Sequence, residues 1–468
     1  MPFNSFAFLY LLAVTFVIYY SKWFAKAQVV VLIVASLVFY AHENFVLLAL
    51  LLFSAAVNIT TSYRIVYGDP KHRRLIAVTG VVVNLAALSF FKYSRLFAHT
   101  LLSDDSSIAE FLINIPLPIG ISFFTFEGIS LLIDVWKERH IEAKKIIALS
   151  ILEHARNTLF FISFFPHLIA GPILKAHDFF PQIGTKYFKN INWESAFKSI
   201  VTGYFLKMVV ADNLKNFTFW IVYPFFEGQS TATLISLLFG YSIQIFADFA
   251  GYSLIAIGLA KLFGYQFQDN FNFPYISTSF REFWKRWHIS LSTFLMEYLY
   301  FPLGGNRKGK IRTYFNLMVT MILGGLWHGA AWSYAVWGFV HGSALAVERA
   351  LSDKINLKPR KLISFIQGLF VFLFVTFAWL LFKLPDFSHV TKYINAIATN
   401  TDLETNTVMV VSILIYSSPV VLYHVLYLMR VPTVVKLVQR VSYVPYGVML
   451  FLIVTNSGSS GSFIYFQF

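Results

Sequence analysis

Uncharged apolar blocks recur along the whole chain. Phe6–Tyr20, Val29–Tyr40, Phe45–Val57, Leu75–Phe91, Leu362–Leu381 and Val408–Leu428 contain no Asp, Glu, Lys or Arg. A helix needs about 20 mostly apolar residues to cross a bilayer, or about 17 at the short end. The longer blocks meet that length, and the shorter ones reach it with their neutral flanks. The pattern predicts an all-α polytopic membrane protein with roughly 11–13 transmembrane or half-spanning helices. Interfacial amphipathic helices are expected beside them, one of them in the mixed-polarity stretch Lys175–Lys198.

Composition agrees with this pattern. Of 468 residues, 57% are hydrophobic and 13% charged, against about 25% charged in an ordinary soluble domain. That is too little charge to cover a soluble surface of this size. No hydrophilic block is long enough for a second domain, and no internal repeat or low-complexity stretch occurs. A single domain, 1–468, is expected: N-terminal helices over 1–110, a catalytic core over 111–350, and C-terminal helices with an aromatic tail over 351–468.

The net charge of +14 would suggest nucleic acid in a soluble protein. Here the basic residues lie between apolar blocks and read as topology signals, so no nucleic-acid partner is expected. Basic loops hold Lys22 and Lys26, then Arg64, Lys71, Arg73 and Arg74, then Lys137, Arg139, Lys144 and Lys145. Near the end come Lys354, Lys358, Arg360 and Lys361, then Arg430, Lys436 and Arg440. The alternate loops, Asp104–Asp105 and Asp402–Glu404, are acidic. With basic loops cytoplasmic, the N-terminus lies outside and the last segment runs outward. Cysteine is absent, which excludes disulfides, zinc-thiolate sites and a cysteine nucleophile. The first block lacks a basic n-region and a small-residue cleavage site, so it reads as a retained span.

Candidate chemistry concentrates in the middle of the chain. Phe280–Tyr300 reads FREFWKRWHISLSTFLMEYLY. Arg281, Lys285 and His288 share a helical face by their i, i+4, i+7 spacing. Such a helix lies in the interface or lines a polar cavity; an amphipathic surface helix with Trp anchors has the same pattern. In Met321–Trp332, MILGGLWHGAAW, His328 sits inside an apolar run beside Gly324, Gly325 and Gly329. An ionisable side chain at membrane depth marks a pathway or a reacting site, and histidine is suited to take a proton near neutral pH. A histidine hydrogen-bonded between helices is the plainer reading. His341 follows 13 residues later, a gap that does not make a helical metal-ligand pair, and no metal site is expected.

Elsewhere, Phe164–Pro172 (FFPHLIAGP) breaks an apolar stretch around His167; broken backbone at that depth must be buried or line a cavity. Asp248 in FADFAGYS is a lone acid in a long apolar segment, and PLPIGISFFTFEGISLLID places Glu127 inside another span. Asp248 could orient a histidine, line a polar channel or cap a helix. No phosphate-binding loop, nucleophile elbow or dinucleotide fingerprint occurs. The tail, SGSFIYFQF, carries Phe463, Tyr465, Phe466 and Phe468, and so many aromatics predict burial. Buried tyrosine usually anchors through its hydroxyl, and it acts as a nucleophile when a base is close.

Taken together, PLPIGISFFTFEGISLLIDVW, FFPHLIAGPI, DFAGYS, NFNFPYIS, FWKRWHISLSTFLMEYLYFPLGGNR and LGGLWHGAAWSYAVWGFVHG resemble the membrane-bound O-acyltransferases. The likeness is to their bacterial branch, which acylates alginate, peptidoglycan and teichoic acid, and it spans nearly the whole chain. The chain departs from the branch at Glu297, at Ala250 and at Leu254, where relatives often carry Asp, Ser and an acid. The resemblance implies helices around a central funnel or pore that admits an acyl-CoA thioester from the cytoplasm, with acetyl-CoA the expected donor. It implies His328 as general base and His288 as an orienting or polarising group. Lys285 and Arg286 are expected at the CoA phosphates by their charge, with Trp327 beside them. It implies an exported or envelope polysaccharide as substrate and the bacterial inner membrane as location, in contact with membrane lipid. Tyr465 is a candidate acyl relay to an extracytoplasmic serine-type (SGNH-like) acetyltransferase partner. D-alanyl transfer to teichoic acid, a secondary transporter of an acyl donor or sugar, and a scaffold for polysaccharide export are the alternative readings.

Overall fold

The computed structural model describes residues 1–42, 44–102, 106–138, 146–169, 171–352, 361–429 and 443–459, and among these every regular element is helical. Among the described residues, five helices are long and apolar enough to cross a membrane: Phe45–Tyr67, Pro70–Leu101, Thr231–Leu262, Lys361–Lys383 and Thr407–Met429. Phe6–Tyr20, Gln28–Ala41 and Tyr443–Thr455 are shorter apolar helices. Phe45–Tyr67, Pro70–Leu101 and Lys361–Lys383 run past their uncharged stretches to include charged residues, because the backbone ladder continues into the polar flank.

Two kinds of span can be told apart by burial. The apolar window of Thr231–Leu262 is 94% buried, against 28% for Phe45–Tyr67, Pro70–Leu101 and Thr407–Met429. The exposed flanks are strongly apolar: Leu362, Phe365 and Phe370 are each at least 60% exposed. A soluble protein does not tolerate such a row; hydrocarbon covers it in a bilayer. The chain is therefore a multi-pass membrane protein.

The chain folds as two compact units, one of Met1–Phe197 with Ile255–Gln268, the other of Lys198–Leu254 with Asp269–Phe468. In the first unit the core is the helix Ile121–Lys137, buried along nearly its whole length. It carries Glu127 and Asp134, seven residues apart, hence on one face and about 10 Å apart along the axis. Buried carboxylates require partners. Glu127 pairs with His167 at 2.8 Å and Asp134 with His177 at 2.7 Å. His167 thus ties the broken FFPHL segment to the core helix. Asn58 and Asn84 exchange amide hydrogen bonds at 3.1 and 3.2 Å, joining neighbouring helices, a use of polar side chains suited to apolar surroundings.

The second unit is organised on residues 231–254. Gly251 lets another segment approach: a Cβ there would lie 2.8 Å from the Gly203 carbonyl oxygen and 2.9 Å from the Lys207 nitrogen. That segment, Phe205–Ala211, is a π-helix. Residues five apart stack in a π-turn, which brings Lys207 over Asp212, Nζ to Oδ1 2.7 Å. The same Nζ lies 2.6 Å from Asp248 Oδ1. Asp248 closes a buried ion triad in mid-helix.

Candidate active site

The segment 280–300 is not one helix. Phe280–Arg286 and Ile289–Leu295 are separate α-helices, followed by the π-helix Met296–Tyr300. The break falls at His288, whose φ of +43° puts a side chain in the left-handed region, a conformation costing of order 1–3 kcal/mol. Its surroundings hold it there. Ile289 N donates to the Asn270 carbonyl and Asn272 N to the Arg286 carbonyl, both at 2.9 Å. Asn270 Oδ1 also accepts from Ser290 N at 3.2 Å and Ser290 Oγ at 2.8 Å, and lies 3.1 Å from His288 Nδ1. His288 thus leaves the face that Arg281 and Lys285 occupy; it is fully buried, whereas those two side chains are exposed.

The short helix Phe280–Arg286 is capped at its start and tied at its end. Ser279 accepts from Glu282 N, and Glu348 accepts from Phe280 N and Arg281 N, placing a carboxylate at the positive end of the helix. Burial works to raise the Glu282 pKa. Hydrogen bonds from Thr278 and Arg286 outweigh it, so the carboxyl lies below its ordinary range. Arg286 contacts Glu282 at 2.8 Å and donates to the Asn272 carbonyl at 3.0 Å.

His328 is the last residue of the helix Lys310–His328, and Trp332–Ser352 begins after a short turn. The glycines of MILGGLWHG allow this hairpin to close. A Cβ on Gly325 would sit 2.1 Å from the Tyr334 carbonyl oxygen, and one on Gly338 2.2 Å from that of Met321. Gly329 needs its lack of side chain for the same reason, since a Cβ would meet the Tyr334 ring at 2.3 Å. Gly325→Ala should therefore push the helices apart and destabilise the protein by about 1–3 kcal/mol, read as a lower unfolding temperature in detergent. An unchanged temperature would contradict this packing.

The hairpin delivers His328 next to His288, ring centroids 6.4 Å apart. Trp327 packs on both, at 5.7 Å from His288 and 5.1 Å from His328. Phe249 meets His288 edge-on at 4.5 Å, and Trp337 and Phe382 meet His328 at 5.3 and 5.0 Å. His341 lies behind Trp337 at 4.6 Å, fully buried among aromatic rings. The two imidazoles are 97% or more buried, in a site walled by aromatic rings.

A cavity of about 640 Å³ approaches this cluster. Its lining includes Tyr334 and Phe382, together with Tyr241, Lys215 and Lys383. Phe382 contacts both Tyr334, at 4.9 Å, and His328. Ser459 also lines the cavity, and its hydroxyl donates to Asn216 at 3.0 Å. Tyr465, with Phe463, Phe466 and Phe468, lies outside the described residues.

Of the residues singled out from sequence, His288, His328 and Trp327 come together, while Lys285 stays on the exposed face of its helix. Asn270, Lys207, Asp212 and Phe382 escaped notice. The charged residues inside GYFLKMVVADNL were the available signal for Lys207 and Asp212.

The sequence model of the membrane-bound O-acyltransferase family matches residues 148–385, which contain both histidines and the triad. A probable alginate O-acetylase of Azotobacter vinelandii is 38% identical over 82% of this chain and 75% of its own length. The peptidoglycan O-acetyltransferase of Helicobacter pylori is 34% identical over 77% of this chain and 72% of its own. More distantly, the teichoic acid D-alanyltransferase of Bacillus subtilis is 25% identical over 83% of this chain and 99% of its own. With two paired histidines in a buried aromatic site, on a scaffold of membrane helices, the chain belongs to the membrane-bound O-acyltransferase family and is an acyltransferase.

Proposed function

We propose that this protein is an acetyl-CoA-dependent O-acetyltransferase of the bacterial inner membrane that serves an exported or cell-envelope polysaccharide. The observation that carries the reading is the buried histidine pair beside a cavity, in a chain of an acyltransferase family. The names of the relatives support acetyl as the group and a glycan as its destination. D-alanyl transfer has the weaker support of a 25% identical relative.

His328 takes the proton of the attacking hydroxyl as its oxygen bonds to the thioester carbonyl carbon. The carbon–sulfur bond then breaks, and the thiolate leaves with that proton. Hydroxyl and thioester become ester and thiol, so atoms balance. His288 supports the imidazole that carries the proton, and Trp327 walls the donor side. Lys285 offers an exposed ammonium to CoA phosphates, and Arg286 adds a fixed charge beside it.

The cavity supports a relay through Tyr465. Ser459 lines it, and Tyr465 follows six residues later, a reach of up to about 20 Å in extended chain. Tyr465 takes the acetyl group as a phenyl ester and hands it to an extracytoplasmic serine-type, SGNH-like transferase, which acetylates the glycan. The test is the ester-linked acetate on envelope polysaccharide in cells carrying wild type, His328→Ala or Tyr465→Phe. Acetate should fall to background in both variants. Full acetylation with Tyr465→Phe would end the relay and leave the enzyme; full acetylation with His328→Ala would end the assignment of the base.

A further inference from the structure

We infer that Asn270 is a positioning residue that fixes the tautomer of His288, so that this imidazole enters the site as a hydrogen-bond acceptor. The orientation of the Asn270 amide is set by its neighbours. A backbone N–H can only donate, and Ser290 N points to Oδ1 at 3.2 Å; the other end of the amide, Nδ2, donates to Ser253 Oγ at 3.2 Å. The atom 3.1 Å from His288 Nδ1 is therefore an oxygen that only accepts. His288 Nδ1 must donate to it, which places the proton of the neutral ring on Nδ1 and the lone pair on Nε2.

The geometry leaves little freedom to escape this. The Asn270 carbonyl holds Ile289 N, Asn272 N is bonded to the Arg286 carbonyl, and Arg286 returns a bond to the Asn272 carbonyl. This double clasp grips the chain on both sides of His288 at its left-handed turn. The ring is further fixed edge-on by Phe249 at 4.5 Å.

The catalytic consequence rests on the acyltransferase reading above. A neutral ring with its proton on Nδ1 has none on Nε2 to give to a thioester carbonyl, so His288 does not polarise the donor. Its lone pair serves the other imidazole. A direct N–H···N bond of about 3 Å would bring the centroids to about 5 Å; the observed 6.4 Å has room for one bridging water. Through it, His288 stabilises the imidazolium formed when His328 takes the hydroxyl proton. His328, from the end of Lys310–His328, is the titratable ring beside His288. On the Thr231–Leu262 side, Asp248 adjoins Phe249 but is committed to Lys207. On its own segment, Arg286 is committed to Glu282.

The full chain in nanodiscs, with ¹⁵N-labelled histidine, reports the tautomer directly, with His288→Gln identifying the signal. The proton should be on Nδ1 in wild type, and Asn270→Leu should lose that preference. Asn270→Asp keeps an acceptor at Nδ1 and lets the Ser253 hydroxyl donate in turn. It also favours the doubly protonated ring. The acid limb of kcat for acetyl-CoA turnover should then move up by about one pH unit, with KM within about twofold, while Asn270→Leu loses about tenfold or more in kcat. A wild-type His288 protonated on Nε2 would overturn the inference, as would an unmoved acid limb in Asn270→Asp. Absence of turnover in wild type would instead defeat the acyltransferase reading, and the ¹⁵N signal would still decide the tautomer.

Discussion

Replacing His328 with alanine should lower acyl transfer by about 10²- to 10⁴-fold, the range that a positioned general base supplies. The size of the effect follows from how the ring is held. His328 closes a helix, its backbone leads straight into an extended Gly329, and aromatic rings of Trp327, Trp337 and Phe382 pack on it within 5.3 Å. A ring so confined cannot be replaced by a nearby group. Truncation also opens a void among those aromatics, so alanine should lower stability as well. His328→Gln separates the two effects: it fills more of the volume but takes no proton. Both variants should lose the rate, and glutamine should lose less stability. A glutamine variant with near wild-type turnover would show that His328 packs the site without acting in it.

The largest stability effect is expected at Lys207. Its ammonium is 3% exposed and lies 2.7 Å from Asp212 and 2.6 Å from Asp248, carboxylates that are 2% and 4% exposed. Lys207→Met keeps much of the volume and leaves two buried carboxylates without their cation. Breaking one partner of a buried pair costs about 3–5 kcal/mol, enough to exhaust much of the stability of many proteins. Little folded protein should survive detergent extraction. Neutralising the carboxylates as well, in Lys207→Met with Asp212→Asn and Asp248→Asn, removes the uncompensated charge and should recover much of the fold. If the single variant melted like wild type, the triad would not be a stabilising element.

Local signals in the sequence located the spans and His328 and missed the way the site is assembled. The outer blocks, such as Val408–Leu428, became the helices expected of them, because apolar length is the main requirement for crossing hydrocarbon. His328 stood out as an ionisable residue in an apolar run, and Gly325 as the means of close approach. The i, i+4, i+7 face of Arg281, Lys285 and His288 did not form, since a helical period presumes an unbroken helix. The clasp that breaks it comes from Asn270, 18 residues earlier. Lys207 and Asp212 meet at a spacing of five, which belongs to a π-turn and escapes a 3.6-residue pattern. Asp248 was visible as a lone acid, but its lysine lies 41 residues away. Glu127 and His167 were likewise each visible, and only the fold joins them.

The most direct test of the account is to incubate the purified protein in nanodiscs with radiolabelled acetyl-CoA and follow both thiol release and label on the chain, for wild type and His328→Gln side by side. The account predicts CoA release by wild type and its loss in the variant. Absence of release by wild type, or equal release by both, would contradict an acetyl-CoA-dependent transferase with His328 as its base.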